Sequence, residues 1–181
     1  MKRFLFVALF LGCAQPAYDN YDEMCSDPYG KDSVSSSIGF HYPQAFSIAL
    51  SPKFNEIDVA EAQKGCNAWE RATNGKIRCF AYLDSDMKPD HDSVLVHKCA
   101  NTKYSNADVA TYPSKYSLSE IVFKENVPAR AKTFTHEIGH VLGLFDYYPS
   151  EGEATAMVPV YSRMADSPTE IDVQRLDRIW Q

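Results

Sequence analysis

No run of apolar residues in this chain is long enough to cross a bilayer: Phe4 to Leu11, the best candidate, is too short to span one as a helix. No cluster of positive charge stands out either. The 18 lysines and arginines are outnumbered by 24 aspartates and glutamates, for a formal net charge of −6. Nucleic acid is therefore not an expected partner. The five cysteines include no Cys-x-x-Cys pair, which argues against a cysteine-built zinc site. Internal repeats are absent, and no segment reads as a clear propeptide. What is present is ordinary globular material: 181 residues, 45% of them apolar and 23% charged, enough for one domain with a real core. A monomer is expected.

The first residues look like a targeting segment. Lys2 and Arg3 precede the short apolar run, the layout of an export signal over residues 1–12. The following "FLGC" resembles the lipobox of bacterial lipoproteins, which implies lipidation at Cys13, a membrane anchor and a place in the bacterial cell envelope. Plain secretion and a buried core strand are the competing readings. Residues 13–37, with "YDNYDE" and "SVSSS", read as a polar tether, leaving 38–181 as the folded domain. Removing Cys13 leaves Cys25, Cys66, Cys79 and Cys99, an even number in an exported chain. Two disulfides would use them all, in one of three pairings; one bridge with buried free thiols is the alternative.

Along the domain, "FSIALS" has strand character. Val59, Ala62, Cys66 and Trp69 form one stripe of a helix that Asn74-Gly75 should stop. "KIRCFAYLD" alternates as a half-buried strand, with Ile77, Cys79, Ala81 and Leu83 on one side. "SVLVHKC", "ADVATYP" and "SEIVFKEN" are further strands. Pro128 suits the first position of the next helix, whose apolar face is Phe134, Ile138, Val141 and Leu142. After an irregular stretch over 146–166, Ser167, Pro168 and Glu170 suggest a capping box for a last helix, with Val173, Leu176, Ile179 and Trp180 buried. This order of elements is that of an α+β domain.

The chemistry concentrates in "THEIGHVLGLFDYY", residues 135–148. His136 and His140, four apart on a helix, share a face and can reach one point. Zinc takes imidazole nitrogens in tetrahedral geometry, and Glu137 beside the first histidine can accept a proton from water without occupying a ligand position. Gly143 can end the helix in the left-handed conformation and turn the chain, so that Asp146 swings back as a third ligand. Three protein ligands leave one position open, the pattern of a catalytic centre rather than a structural one. Two surface histidines on an ordinary helix is the bland alternative.

"HEIGHVLGLFD" resembles the extended zinc motif of the metzincin metallopeptidases, with an aspartate in the place of the usual third histidine, as in the snapalysin family. "AMVPVY" is similar to the matrixin segment that carries the methionine turn, which implies that Met157 packs under the ligands; Met164 is a rival. "FSIALS", "AWERATNG" and "KIRCFAYLD" look like the start of a matrixin catalytic domain. The resemblance implies a twisted, mostly parallel sheet with an antiparallel edge strand, an active-site helix, the methionine turn and a C-terminal helix. It also implies zinc-dependent hydrolysis of peptide bonds, with Glu137 assisting water and a peptide substrate bound extended along a sheet edge, at "SEIVFKEN" or the segment before it. Tyr161, just past the methionine turn, stands where astacins and serralysins place a transition-state stabiliser; a core or exposed tyrosine is the ordinary reading. Tyr147 and Tyr148 are read as groove wall.

The loop "DSDMKPDHD", residues 84–92, has the oxygen-rich composition that can hold calcium, and matrixins carry structural ions in this region, but a solvated acidic turn is the ordinary reading. His97, in a strand, is expected to be satisfied by hydrogen bonds. A zymogen switch at Cys25 competes with a plain disulfide. Two other functions compete with the endopeptidase: a non-catalytic lipoprotein binding module, which would have no use for Glu137, and a zinc amidase acting on cell-wall peptides.

Overall fold

A computed structural model describes residues 44–85, 92–100, 108–113, 118–151 and 153–180. The expected signal and tether, with Cys13 and Cys25, lie outside them, as do His41, His91 and the calcium candidate's central residues 86–91.

The chain runs β1 (Ala45–Leu50), α1 (Glu56–Ala72), β2 (Arg78–Leu83), β3 (Ser93–Cys99), β4 (Val109–Pro113), β5 (Ser119–Lys124), α2 (Ala131–Val141), a single 3-10 turn (Tyr161–Arg163) and α3 (Glu170–Ile179). The five strands make one sheet in the order β2-β1-β3-β5-β4. All pairings are parallel except β4 with β5. The α+β fold with a mostly parallel sheet and an antiparallel edge strand is therefore as expected. Among the described residues the sheet ends at β4 beyond β5, so "ADVATYP" and not "SEIVFKEN" carries the rim there.

Parallel strands covered on both faces read as continuous apolar runs, and the central strands β1 and β3 are buried along most of their length. Ile48, Leu50, Val94, Val96, Ile121 and Phe123 turn one face of the sheet to Trp69 of α1 and Phe134 and Ile138 of α2, forming one core. Leu83, expected on the buried side of β2, is 42% exposed because it ends an edge strand.

Helix α1 begins at a capping box: Asn55 accepts from the Ile57 and Asp58 N–H groups, and Asp58 accepts from the Asn55 N–H. It ends before Asn74 and Gly75, both with positive φ, as the sequence suggests. Its Cys66 forms a disulfide with Cys79 of β2, and Cys99 is also disulfide-bonded. The two helices touch closely at Gly65, where an added Cβ would lie 2.9 Å from Phe134 Cβ and 3.1 Å from the Thr135 nitrogen. Next to this contact, Trp69 Nε1 donates to the Thr135 carbonyl at 2.7 Å. Pro128, expected to open α2, lies ahead of it. The helix starts at Ala131, whose N–H donates to Glu61 of α1 at 2.8 Å, while Arg130 at the cap position offers no side-chain bond. A tertiary acceptor thus sets the start of α2.

The C-terminal helix is capped later than the sequence suggests. Thr169, not Ser167, is the N-cap, and Asp172 completes the box. Asp172 is fully buried against the 155–156 segment, which fixes the register of the cap. Ile179 is exposed, so the inward stripe of α3 narrows to Leu176 with Val173 and Trp180 partly covered. No helix among the described residues is long and apolar enough to cross a membrane.

Candidate metal centre

Helix α2 buries Phe134, Ile138 and Val141 in the core. The same helix carries His136, Glu137 and His140 near its C-terminal end. It stops in a Schellman motif: the Gly143 N–H donates to the His140 carbonyl and the Leu144 N–H to the Gly139 carbonyl, both at 2.9 Å. Gly143 has φ 92°, a left-handed conformation in which a side chain would be strained. The turn sends Asp146 back along the helix.

His136 Nε2 and His140 Nε2 lie 3.1 Å apart, and Asp146 Oδ1 is 3.3 Å from each. Among the described residues this is the one group of three metal-ligating side chains gathered on a point. Each histidine spends its other nitrogen on a main-chain oxygen: His136 Nδ1 on Ala156 and His140 Nδ1 on Leu144, both at 2.8 Å. A carbonyl can only accept, so Nδ1 carries the proton and the neutral ring points its Nε2 lone pair inward. Two lone pairs and a carboxylate oxygen converging at this range repel unless a cation sits among them. Ligands at about 2.0–2.1 Å from a tetrahedral zinc would stand about 3.3–3.4 Å apart, which the triangle matches. The residues therefore fit zinc.

Without a metal, a proton can take its place between the ligand atoms. His136 and His140 beside it hold the Asp146 carboxyl far below its usual range. Burial alone would push the His140 imidazole down, but Asp146, Glu137 and the Leu144 carbonyl outweigh it and raise its pKa. The cluster holds on to positive charge.

Met157 is fully buried under α2. A Cβ added at Gly139, between the two histidines, would run into Met157 Sδ and stand 3.1 Å from Trp69 Cζ2. The Met157 carbonyl accepts from the Tyr147 N–H at 2.8 Å, joining this segment to the stretch after Asp146. Met164 is also buried, but it belongs to the 3-10 turn's far side, where its N–H bonds Val160. Asp172 pins the segment from below. Its Oδ1 accepts from the Thr155 hydroxyl, and its Oδ2 accepts from the Ala156 N–H at 2.9 Å and the Thr169 N–H at 2.8 Å. The residue whose carbonyl orients His136 is thus held by the first turn of α3.

Glu137 is buried, and its Oε2 lies 2.6 Å from the Thr111 hydroxyl of β4. Tyr161 stands elsewhere: its hydroxyl accepts from Arg130 at 3.4 Å, at the opposite end of α2 from His140, with the Arg130 and Lys132 cations over its ring. Tyr147 is partly covered, with the Arg175 guanidinium 4.7 Å from its ring centre, while Phe145 and Tyr148 flank Asp146 almost fully exposed. His97 differs from expectation. Among the described residues neither ring nitrogen has a hydrogen-bond partner, and the nearest Glu120 oxygen is 3.6 Å away.

Sequence reasoning missed Thr111, Asp172 and the two carbonyls at Leu144 and Ala156. The carbonyls belong to the main chain and carry no sequence signal. Asp172 was legible as an acidic residue in a first helical turn, though not as an anchor, and Thr111 depends on the pairing register of β4.

No protein-family model matches the sequence, and neither does any curated protein. Among solved structures the chain is similar to high choriolytic enzyme 1, a hatching enzyme zinc-protease from Oryzias latipes (medaka fish), at 12% identity and a TM-score of 0.47, over 75% of this chain and 88% of that one.

Proposed function

We propose that this chain is a zinc-dependent endopeptidase of metzincin type, in the variant with aspartate as third ligand. One observation carries the reading: three ligand atoms at 3.1, 3.3 and 3.3 Å from one another, with both imidazoles oriented by main-chain carbonyls and a buried carboxylate at the adjacent position. His136, His140 and Asp146 would hold the metal. Zinc, when bound, supplies a Lewis acid that polarises a carbonyl and makes water more acidic. Glu137 takes the proton of the attacking water as its oxygen bonds to the scissile carbonyl carbon. It returns that proton to the amine nitrogen as the carbon–nitrogen bond breaks. An extended peptide would add to the free rim of β4, the strand nearest Glu137. A purely structural site would need no carboxylate buried at position 137.

The test joins metal analysis with cleavage of casein and a peptide library by the wild type and by Glu137→Ala. One zinc per chain in both proteins, with cleavage lost in the variant, is the expected result. Equal cleavage by both sinks the mechanism, and release of products only from cell-wall peptides turns the reading to an amidase. We further propose export and a lipid anchor at Cys13. Mass spectrometry of the mature protein should find a diacyl mass on that cysteine; a bare thiol there removes the anchor.

A further inference from the structure

We infer that Thr111 is a positioning residue for Glu137, tying the general base to the edge strand on which substrate would lie; this rests on the peptidase reading above. In an antiparallel pair, directly opposed residues share a face of the sheet. Thr111 opposes Ile121, and Val109 opposes Phe123. Ile121 and Phe123 belong to the core under the helices. Thr111 therefore sits on the helix-facing side of β4, and that side brings its hydroxyl to the end of α2. Its oxygen is 2.6 Å from Glu137 Oε2 and 3.4 Å from the Glu137 carbonyl oxygen. A hydroxyl has one proton to give, and the shorter contact to a charged acceptor takes it.

This bond has a use beyond packing. Glu137 is 4% exposed, and a buried carboxylate without donors is costly. Among the described residues the Thr111 hydroxyl is its one hydrogen-bond donor. Committing Oε2 to Thr111 fixes the side-chain rotamer and leaves Oε1 to receive the proton of water. Thr111 also belongs to β4, the edge of the sheet among the described residues. A peptide pairing with β4 would steady the same backbone that holds the hydroxyl, so occupancy of the rim and alignment of the base are linked.

The experiment compares Thr111→Val and Thr111→Ser with the wild type, each loaded with zinc and checked for one zinc per chain. Thr111→Val should lower kcat on a casein-derived peptide by roughly 10- to 100-fold, the fold-change of one hydrogen bond to a charged group, with KM little changed. Thr111→Ser should recover most of that loss. A second measurement needs no activity: urea unfolding of the metal-free wild type, Thr111→Val, Glu137→Ala and the double variant, since alanine, unlike glutamine, keeps no acceptor for the hydroxyl. The contact predicts that the double variant is less destabilised than the two single changes summed. Wild-type kcat in Thr111→Val, serine no better than valine, or an additive cycle each overturns the inference. An additive cycle in an active protein leaves the peptidase reading standing. A coupled cycle in a wild type that cleaves no peptide sinks that reading instead, and the catalytic sense of the bond with it.

Discussion

Gly139 stands on α2 between the two histidines because nothing larger fits there. A methyl group at that position would overlap Met157 Sδ and crowd Met157 Cε at 3.0 Å and the Trp69 ring at 3.1 Å. Both neighbours are fully buried, so the Met157 side chain would have to repack within the core to make way. Gly139→Ala should therefore cost about 1–3 kcal/mol of stability despite the better helix propensity of alanine, and it should loosen zinc by displacing the helix face that carries His136 and His140. Urea unfolding and a zinc competition titration read both effects. An alanine variant at least as stable as the wild type would show that Met157 does not brace this helix. The glycine is visible in the sequence, but the reason for it is not. It sits inside the motif as an unremarked spacer, and its crowding depends on a methionine from a distant segment.

Helix α3 reaches the candidate metal centre through its first turn. Asp172 is fully buried and gathers the Thr155 hydroxyl with the Ala156 and Thr169 N–H groups. Asp172→Ala leaves those donors without an acceptor, and each buried unsatisfied group costs about 1–3 kcal/mol. A loss of about 3 kcal/mol is expected, together with weaker zinc binding, because the Ala156 carbonyl that orients His136 is released. Thermal unfolding of the metal-free protein and zinc titration of the folded variant check the two parts; unchanged zinc affinity would separate α3 from the site. The elements themselves were largely legible. The stripe of α1 and the alternation of β2 follow from packing against one core, and that pattern is written locally. The starts of α2 and α3 were not legible, because partners far along the chain select them: Glu61 for Ala131, and the 155–156 segment for Asp172. The triangle of His136, His140 and Asp146 was readable since helix spacing and one glycine turn suffice to bring the three side chains together. Thr111 was not, because its partner depends on which residue of β5 it opposes.

The folded protein as a whole should respond to pH in opposite ways with and without metal. The pKa of His140 is raised above its ordinary value of 6.5 in the folded chain. Its contribution to stability is then fully present below 6.5 and is lost as pH rises through the folded value. The Asp146 carboxyl is held far below its usual range, so its contribution is present above the unfolded carboxyl value and is lost only in strong acid. Between them, the metal-free protein keeps this pair at mildly acidic pH and gives it up in the alkaline direction. Zinc requires the neutral imidazole, so protons compete with it and its grip tightens as pH rises. The rise in melting temperature on adding zinc should therefore be larger at pH 8 than at pH 6, measured against the same protein in chelator. An equal or smaller gain at pH 8 would mean that the histidines are not the groups the metal displaces protons from.

Both imidazoles lean on backbone oxygens, those of Leu144 and Ala156, and not on neighbouring side chains. Supports of this kind are indifferent to what residue supplies them. The identities at 144 and 156 can drift, within what the core accepts in volume, while the ligand orientation stays as it is. Tolerance to exchange at these two places, beside intolerance at Gly139, is what such a scaffold leaves as its mark on a library of variants.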